Sequence, residues 1–163
     1  MTKPLWAPWR LEYVQHAGEL EGCVFCSEVA GDLSGDASLL IHRGERALAL
    51  LNKYPYSSGH LMIAPVRHLA ALSDLTDEEA LEIHRLSVAG MNALEATYGP
   101  DGFNLGWNLG HPAGAGIVDH VHLHVVPRWS GDTNFMPVLA DVKVLPEHLL
   151  TTRDRLREAW ATG

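Results

Sequence analysis

Short apolar stretches separated by turn residues occupy the first half of the chain, which is the pattern of neighbouring β-strands. They predict strands over 39–42, 46–52 and 60–64. Arg43-Gly44-Glu45 carries a turn signal between the first two strands, and Pro65 closes the third. Because these links are short, we expect the strands to be antiparallel neighbours.

A long amphipathic helix is predicted after these strands, over about residues 76–98. Thr76 opens a capping box, since its hydroxyl and the Glu79 carboxylate can satisfy free N–H groups at a helix start. Apolar residues then recur every three or four positions and form a stripe wide enough to cover a sheet. Gly99-Pro100 ends this pattern, and a second amphipathic helix is predicted from Pro146 to about Trp160.

Two further strands are predicted on either side of a glycine-rich turn. Residues 101–108 resemble a strand weakened by its glycines, and histidines alternate strictly with apolar residues over 119–128. Successive side chains of a strand point to opposite faces, so His120, His122 and His124 should line one face. The predicted fold class is α+β, with a five-stranded antiparallel sheet, one long helix and one C-terminal helix.

A length of 163 residues and a hydrophobic content of 47% indicate a single domain over residues 1–163, with an irregular arm at about 1–35. The sequence shows neither a membrane-spanning apolar run nor an export leader, so we expect a cytoplasmic protein with no membrane partner. The net charge of −8 argues against nucleic-acid binding, which needs clustered Lys and Arg. A small phosphorylated ligand needs only local positive charge. The candidates for it are Arg10, Lys53, Arg67 and Arg128.

Cys23 and Cys26 form a Cys-x-x-Cys turn, which by its spacing is half of a zinc site. A structural disulfide is disfavoured in a cytosolic chain that has only these two cysteines. Metal binding, redox use and two reduced cysteines without a metal all remain open at this point.

The histidine row resembles a known signature. His120-x-His122-x-His124-Val125-Val126 resembles the motif of the histidine triad family of nucleotide hydrolases and transferases, and the order of elements from about 48 to 128 is similar to that family's fold. Trp6-Ala7-Pro8-Trp9-Arg10 and Gly131-Asp132-Thr133-Asn134-Phe135-Met136 resemble a bacterial branch related to diadenosine tetraphosphate phosphorylases.

The resemblance implies three catalytic histidines. His122 would be the nucleophile, because a neutral imidazole attacks phosphorus well and the nucleotidyl-imidazole can pass its group to water or phosphate. His124 would hydrogen-bond the phosphate. His60 matches an upstream histidine that orients the triad or shares protons with it, although by spacing alone it is also an ordinary histidine at a turn.

The resemblance also implies a nucleotide pocket. Asn52 matches an Asn or Asp that binds ribose, and Asn108 and Gly116 are candidates on the phosphate side. The apolar residues Leu50, Val24 and Phe25 can form a base pocket or belong to the core.

For the metal, related proteins complete the cysteine pair with two histidines, which match His68 and His120 here. With four protein ligands, no position stays open for water, so zinc would be structural. Five other histidines match nothing in the family and are predicted to lie on the surface. They are His16, His42, His84, His111 and His148.

The expected function is cleavage of a dinucleoside polyphosphate through a His122-nucleotidyl intermediate. Phosphate is the expected acceptor, because many hydrolytic members carry a glutamine at the position of Gly116. The alternatives are a hydrolase of dinucleoside polyphosphates or nucleoside phosphoramidates and a nucleotide-binding regulatory protein without turnover. The resemblance also implies a homodimer.

Overall fold

A computed structural model describes residues 22–31, 35, 37–132 and 147–162 of the chain. The strands are Leu40–Arg43 (β1), Ala47–Leu51 (β2), Leu61–Pro65 (β3), Gly102–Trp107 (β4) and Leu123–Arg128 (β5). The α-helices of the described residues are Val24–Ala30 (α1), Asp77–Tyr98 (α2) and Leu149–Thr162 (α3), and short 3₁₀ turns lie at Leu72–Asp74 and His111–Ala113.

The five strands form one sheet in the order β1-β2-β3-β5-β4, and every neighbouring pair is antiparallel. The predicted α+β class, with a long helix and a C-terminal helix, is therefore confirmed. Two boundaries were wrong. The histidine strand begins at Leu123 and not at Asp119, and the C-terminal helix begins at Leu149 and not at Pro146, which lies outside the described residues.

The pairing register divides the sheet into two faces. Leu50 pairs with Met62, and Met62 pairs with His124, so these three side chains lie on the same face. That face also carries α1, through a buried cluster that contains Phe25 and Leu50. The opposite face packs against α2 and α3 in the larger core. Its buried members include Leu51, Leu61, Ile63, Ile83, Leu94, Leu123, Val125 and Leu156.

Helix α2 begins with the predicted capping box. The Thr76 hydroxyl accepts a hydrogen bond from the Glu79 N–H, and the Glu79 carboxylate accepts one from the Thr76 N–H. The helix ends at Gly99, whose φ of 55° lies in the left-handed region that glycine adopts most readily. These two ends fix the length of the helix that covers the sheet.

Several sequence predictions fall outside the described residues, among them the segment Trp6-Ala7-Pro8-Trp9-Arg10, positions 133–136 of the second family-like segment, and His16. The predicted irregular arm includes the seven-residue helix α1. The assignment of all 163 residues to one domain stays a prediction. Within the described ranges, no helix is both long and apolar enough to cross a membrane.

Candidate active site and metal centre

The three histidines of the triad lie where the chain enters β5. His120 is fully buried, and His122 and His124 are almost so. The rings of His122 and His124 are 4.8 Å apart, edge to face. The row is therefore a set of imidazoles enclosed by the protein and not a solvated strand face.

His122 is held as a neutral imidazole in a defined tautomer. Its Nδ1 lies 2.9 Å from the carbonyl oxygen of His120, and a carbonyl only accepts, so Nδ1 carries the proton. Burial lowers the pKa of His122, which favours the uncharged ring. The Nε2 lone pair makes no hydrogen bond with any residue in the described ranges, and the ring lines a cavity of about 660 Å³. This arrangement suits a nucleophile.

His60 and His124 form a directed pair beside His122. The backbone N–H of Tyr56 donates to His60 Nδ1 at 3.0 Å, so the proton of the neutral His60 ring is on Nε2. That N–H points at His124 Nδ1, 2.9 Å away. His124 consequently carries its own proton on Nε2, which faces the Asn108 side-chain amide at 3.2 Å, and the amide accepts this proton through its oxygen when it is turned over. The chain of contacts presents a hydrogen-bond donor next to His122.

The cavity is lined by four of the six predicted nucleotide-binding residues, which are Val24, Leu50, Asn52 and Gly116. Asn108 is placed beside His124 instead. Phe25 is fully buried and is not among the lining residues. Its ring lies 4.8 Å from that of His120 and 4.9 Å from that of His122, so it supports the histidines from within the core and does not form the cavity wall.

The four predicted metal ligands come together. One ligand atom from each of Cys23, Cys26, His68 and His120 lies within 4.8 Å of every other. The Cys23 Sγ to His120 Nδ1 distance is 3.2 Å and the Cys26 Sγ to His68 Nδ1 distance is 3.3 Å. Ligands at the corners of a tetrahedral zinc site are about 3.3–3.8 Å apart, so the set fits a metal with little adjustment.

The outer nitrogens of both histidine ligands are engaged in a way that suits metal binding. His120 Nε2 lies 2.9 Å from the Pro65 carbonyl oxygen, so its proton is there and Nδ1 faces the thiols with a lone pair. His68 Nε2 lies 3.7 Å from the Asp119 carboxylate. Burial raises the pKa of Cys23, a cost that a bound cation would offset by stabilising the thiolate. The cluster can hold a metal ion.

Residues 36–131 of the chain match the family model described as the HIT domain. The chain belongs to the HIT domain family. The resemblance to histidine triad proteins is thereby confirmed.

Two similar HIT proteins have named activities. The AP-4-A phosphorylase of Mycobacterium tuberculosis is 38% identical, over 96% of this chain and 84% of that protein. An adenosine 5'-monophosphoramidase of Schizosaccharomyces pombe is 32% identical, over 65% of this chain and 74% of that protein. Among solved HIT structures, a Zn-bound histidine triad family protein from Mycobacterium smegmatis superposes with a TM-score of 0.69 and 29% identity, covering 86% of this chain and 94% of the other.

Some residues of this HIT site were not found from the sequence. Met62 lines the cavity and follows from strand parity, because it pairs with Leu50 and His124. The start of α3, at Leu149 and Leu150, also lines it, and no local pattern indicates such a distant contact. Further lining residues that were missed are Glu28, Ala37, Leu39, Tyr54, Tyr56 and Ile117.

The predicted cations and surface histidines differ in their burial and in their contacts. Arg67 is paired with Glu79, and Arg128 is paired with Asp132, whereas Lys53 lines the cavity. Of the surface candidates, His84 and His111 are exposed, and His148 is exposed at the cavity. The prediction for His42 was wrong: it is half-buried and stacks on Trp160 with ring centroids 5.3 Å apart. Arg10 lies outside the described residues.

Proposed function

We propose that this chain is a nucleotidyl transferase that cleaves dinucleoside polyphosphates through a His122-nucleotidyl intermediate and prefers phosphate as acceptor. The observation that carries this proposal is the neutral His122, whose proton is held on Nδ1 by the His120 carbonyl while the ring lines the cavity. The 38% identity to an AP-4-A phosphorylase supports the substrate class and the acceptor.

In the first step, His122 Nε2 attacks the α-phosphorus of diadenosine tetraphosphate. The P–N bond forms, the P–O bond to the leaving nucleotide breaks, and ATP departs. The ring becomes cationic, which strengthens the Nδ1–H hydrogen bond to the His120 carbonyl as charge develops. In the second step a phosphate oxygen attacks, the P–N electron pair returns to Nε2, and ADP forms. Two easier displacements replace one difficult one.

The neighbouring groups would stabilise the α-phosphate. His124 would donate its Nε2–H to a non-bridging oxygen in place of the Asn108 contact, and His60 would hold His124 in the tautomer that allows this. Gly116 lines the cavity, where its backbone can approach a phosphate closely. Asn108 would then bind the phosphate from the other side.

The nucleoside would occupy the apolar part of the cavity. Leu50 and Val24 would contact the base, and Asn52 would bind the ribose hydroxyls. Phe25 would act from beneath, by packing against the His122 ring. These roles follow from the family resemblance and are consistent with the positions of the side chains around the cavity.

We further propose that the metal is a structural zinc ion held by Cys23, Cys26, His68 and His120. A closed four-ligand site leaves no position for water, so its contribution would be to brace the approach to β5 against α1. The Zn-bound relative supports this choice of metal.

We also propose a cytoplasmic homodimer. Strand β4 lies at one edge of the sheet, and its Leu105 is 47% exposed. An edge strand with an exposed apolar residue favours pairing with another chain, so β4 of a second copy is the proposed partner. Light scattering of the wild-type protein and of a Leu105→Lys variant would test this, and a monomeric wild-type protein would contradict it.

Product analysis with diadenosine tetraphosphate tests the main proposal. A phosphorylase yields ADP and ATP at a rate that depends on phosphate, whereas a hydrolase yields AMP and ATP without it. Cleavage of adenosine 5'-monophosphoramidate alone would favour the activity of the S. pombe relative. Tight binding without turnover of any of these substrates would favour a regulatory protein.

A further inference from the structure

Two residues in the loop between β2 and β3 line the cavity without a role in the site described above. Lys53 and Tyr54 follow Asn52 directly, and both side chains are exposed as well as lining the cavity. Tyr54 is 51% exposed, whereas Leu50, on the preceding strand, is fully buried. The two residues therefore lie at the mouth of the cavity and Leu50 at its floor.

The loop that carries them is tied to the catalytic histidines. The Asn52 side-chain oxygen accepts a hydrogen bond from the Tyr54 N–H at 2.9 Å, and the Asn52 N–H donates to the His60 carbonyl at 2.9 Å. On the other side of Tyr54, the Tyr56 ring stacks on His60 with centroids 4.7 Å apart. Tyr54 thus has a defined position relative to the triad although its side chain is half exposed.

Charge at the mouth suits a polyphosphate. Lys53 is the one Lys or Arg among the described residues that line the cavity, and it forms no salt bridge with a carboxylate in the described ranges. Its Nζ lies 5.8 Å from the centre of the Tyr54 ring. The nearby acid, Glu28, is already bound by the Ser38 hydroxyl and the Leu39 N–H. A cation and a half-exposed aromatic ring are therefore presented together.

We propose that Lys53 and Tyr54 form a subsite for the leaving nucleotide, with Lys53 binding the distal phosphates and Tyr54 stacking on the second base. This rests on the proposed function, because the first nucleotide must occupy Leu50 and Asn52 at the floor for the second to reach the mouth. Aromatic rings stack on any base, and an ammonium group binds phosphates as a point charge. The subsite would favour dinucleoside polyphosphates over mononucleotides without selecting the second base.

Calorimetry in a His122→Ala background tests the subsite without turnover. We compare the affinity for diadenosine tetraphosphate with that for AMP. Tyr54→Ala and Lys53→Ala should each weaken binding of the dinucleotide about tenfold, and AMP binding should change by less than about twofold. Tyr54→Phe should retain the dinucleotide affinity, since it keeps the ring. Arg85→Ala, which removes an exposed cation from α2 on the opposite face of the sheet, is the matched charge control.

An equal loss for AMP and the dinucleotide would overturn the subsite, because the residues would then serve the first nucleotide. Unchanged dinucleotide affinity, or the absence of measurable dinucleotide binding, would overturn it as well. Failure of the proposed function has a different signature. Wild-type protein would then leave diadenosine tetraphosphate intact, while the selective loss of dinucleotide affinity in Tyr54→Ala would still be observed.

Discussion

His60 donates its Nε2–H to His124 Nδ1 across 2.9 Å, and this one contact places the proton of His124 on Nε2. His60 immediately precedes β3, and His124 lies within the neighbouring strand β5, so the pairing of the two strands fixes their separation. The Tyr56 N–H sets the tautomer at the other end of the His60 ring. The pair therefore orients a hydrogen-bond donor beside His122, the proposed nucleophile.

We expect His60→Ala to lower kcat about 10–100-fold with a much smaller change in KM, because a misoriented donor costs rate and leaves substrate binding largely intact. Steady-state kinetics with diadenosine tetraphosphate measure both constants. His60→Gln, which retains a donor of similar reach, should recover part of the loss. A rise in KM with unchanged kcat would contradict the orienting role.

Replacement of the proposed nucleophile, His122, should have a larger effect. We expect His122→Ala to lower turnover by about 10⁴-fold or more while nucleotide binding stays measurable, since the covalent route is removed and the cavity is kept. His84→Ala, at an exposed position on α2, is the control and should be unaffected. Acid quenching followed by peptide mapping should locate the nucleotidyl adduct on His122, and an adduct on another residue would reject the mechanism.

The metal cluster predicts about one zinc per chain. Elemental analysis of protein purified without a metal-affinity step should find it, and Cys26→Ser should reduce the content, because Cys26 contributes one of four ligand atoms. Chelation should lower the melting temperature, since the ion binds the folded chain in preference to the unfolded one. His111→Ala serves as a control for a histidine outside the cluster. Fully folded, zinc-free protein with two titratable thiols would reject the site.

The start of helix α2 gives a stability prediction with a definite pH dependence. The hydrogen bond from Arg67, followed by the smaller effect of the Thr76 N–H, holds the pKa of Glu79 below its usual range. A carboxylate whose folded pKa is depressed contributes stability above its unfolded pKa of about 4.3, and that contribution is lost as pH falls through the folded value.

Glu79→Gln should therefore destabilise the protein by about 1–2 kcal/mol at pH 7, because it removes the charge-assisted pair with Arg67, although a glutamine oxygen can still accept from the Thr76 N–H in the capping box. Arg67 is half exposed, which keeps the effect of the pair modest. Urea unfolding of the wild-type and variant proteins should give free energies that converge as the pH falls below about 4. Glu95→Gln, at an exposed position on the same helix, should show no such pH-dependent difference.

Periodicity predicted the strands, the long helix and the shared face of the three triad histidines, whereas the pairing of that face with Leu50 through Met62 follows only from the sheet register. Periodicity did not predict the start of β5, because there a histidine side chain, and not a strand N–H, bonds to the backbone carbonyl of β3. The ladder between β3 and β5 stops at the pair Ile63 and Leu123, because the next carbonyl along β3, that of Pro65, accepts from the His120 ring. The Val121 N–H bonds the Leu69 carbonyl instead, so β5 begins later than alternation predicts.

The missed parts of the site and core depend on contacts between distant segments. His42 was expected on the surface, but the register shift between Leu40 and His42 accompanies its stack on Trp160 of α3. The first turn of α3 reaches the cavity through contacts over about a hundred residues of sequence, which no local pattern encodes. The four metal ligands were found because a Cys-x-x-Cys turn and a family motif supply the signal that periodicity lacks.

The choice between phosphate and water as acceptor should depend on Gly116. This residue lines the cavity beside the triad. By the family resemblance, it stands where many hydrolytic members carry a glutamine. A glycine leaves room for an incoming phosphate and lets the backbone approach it, whereas a glutamine amide would fill that space and contact the α-phosphate. We expect Gly116→Gln to lower the ratio of ADP to AMP formed from diadenosine tetraphosphate about tenfold at millimolar phosphate. Gly116→Ala is the control, because it restricts the backbone in the same way but leaves the acceptor space largely open. It should change the ratio of ADP to AMP less than Gly116→Gln does. If the wild-type protein already gives AMP and ATP at a rate independent of phosphate, water is the natural acceptor and Gly116 does not select phosphate.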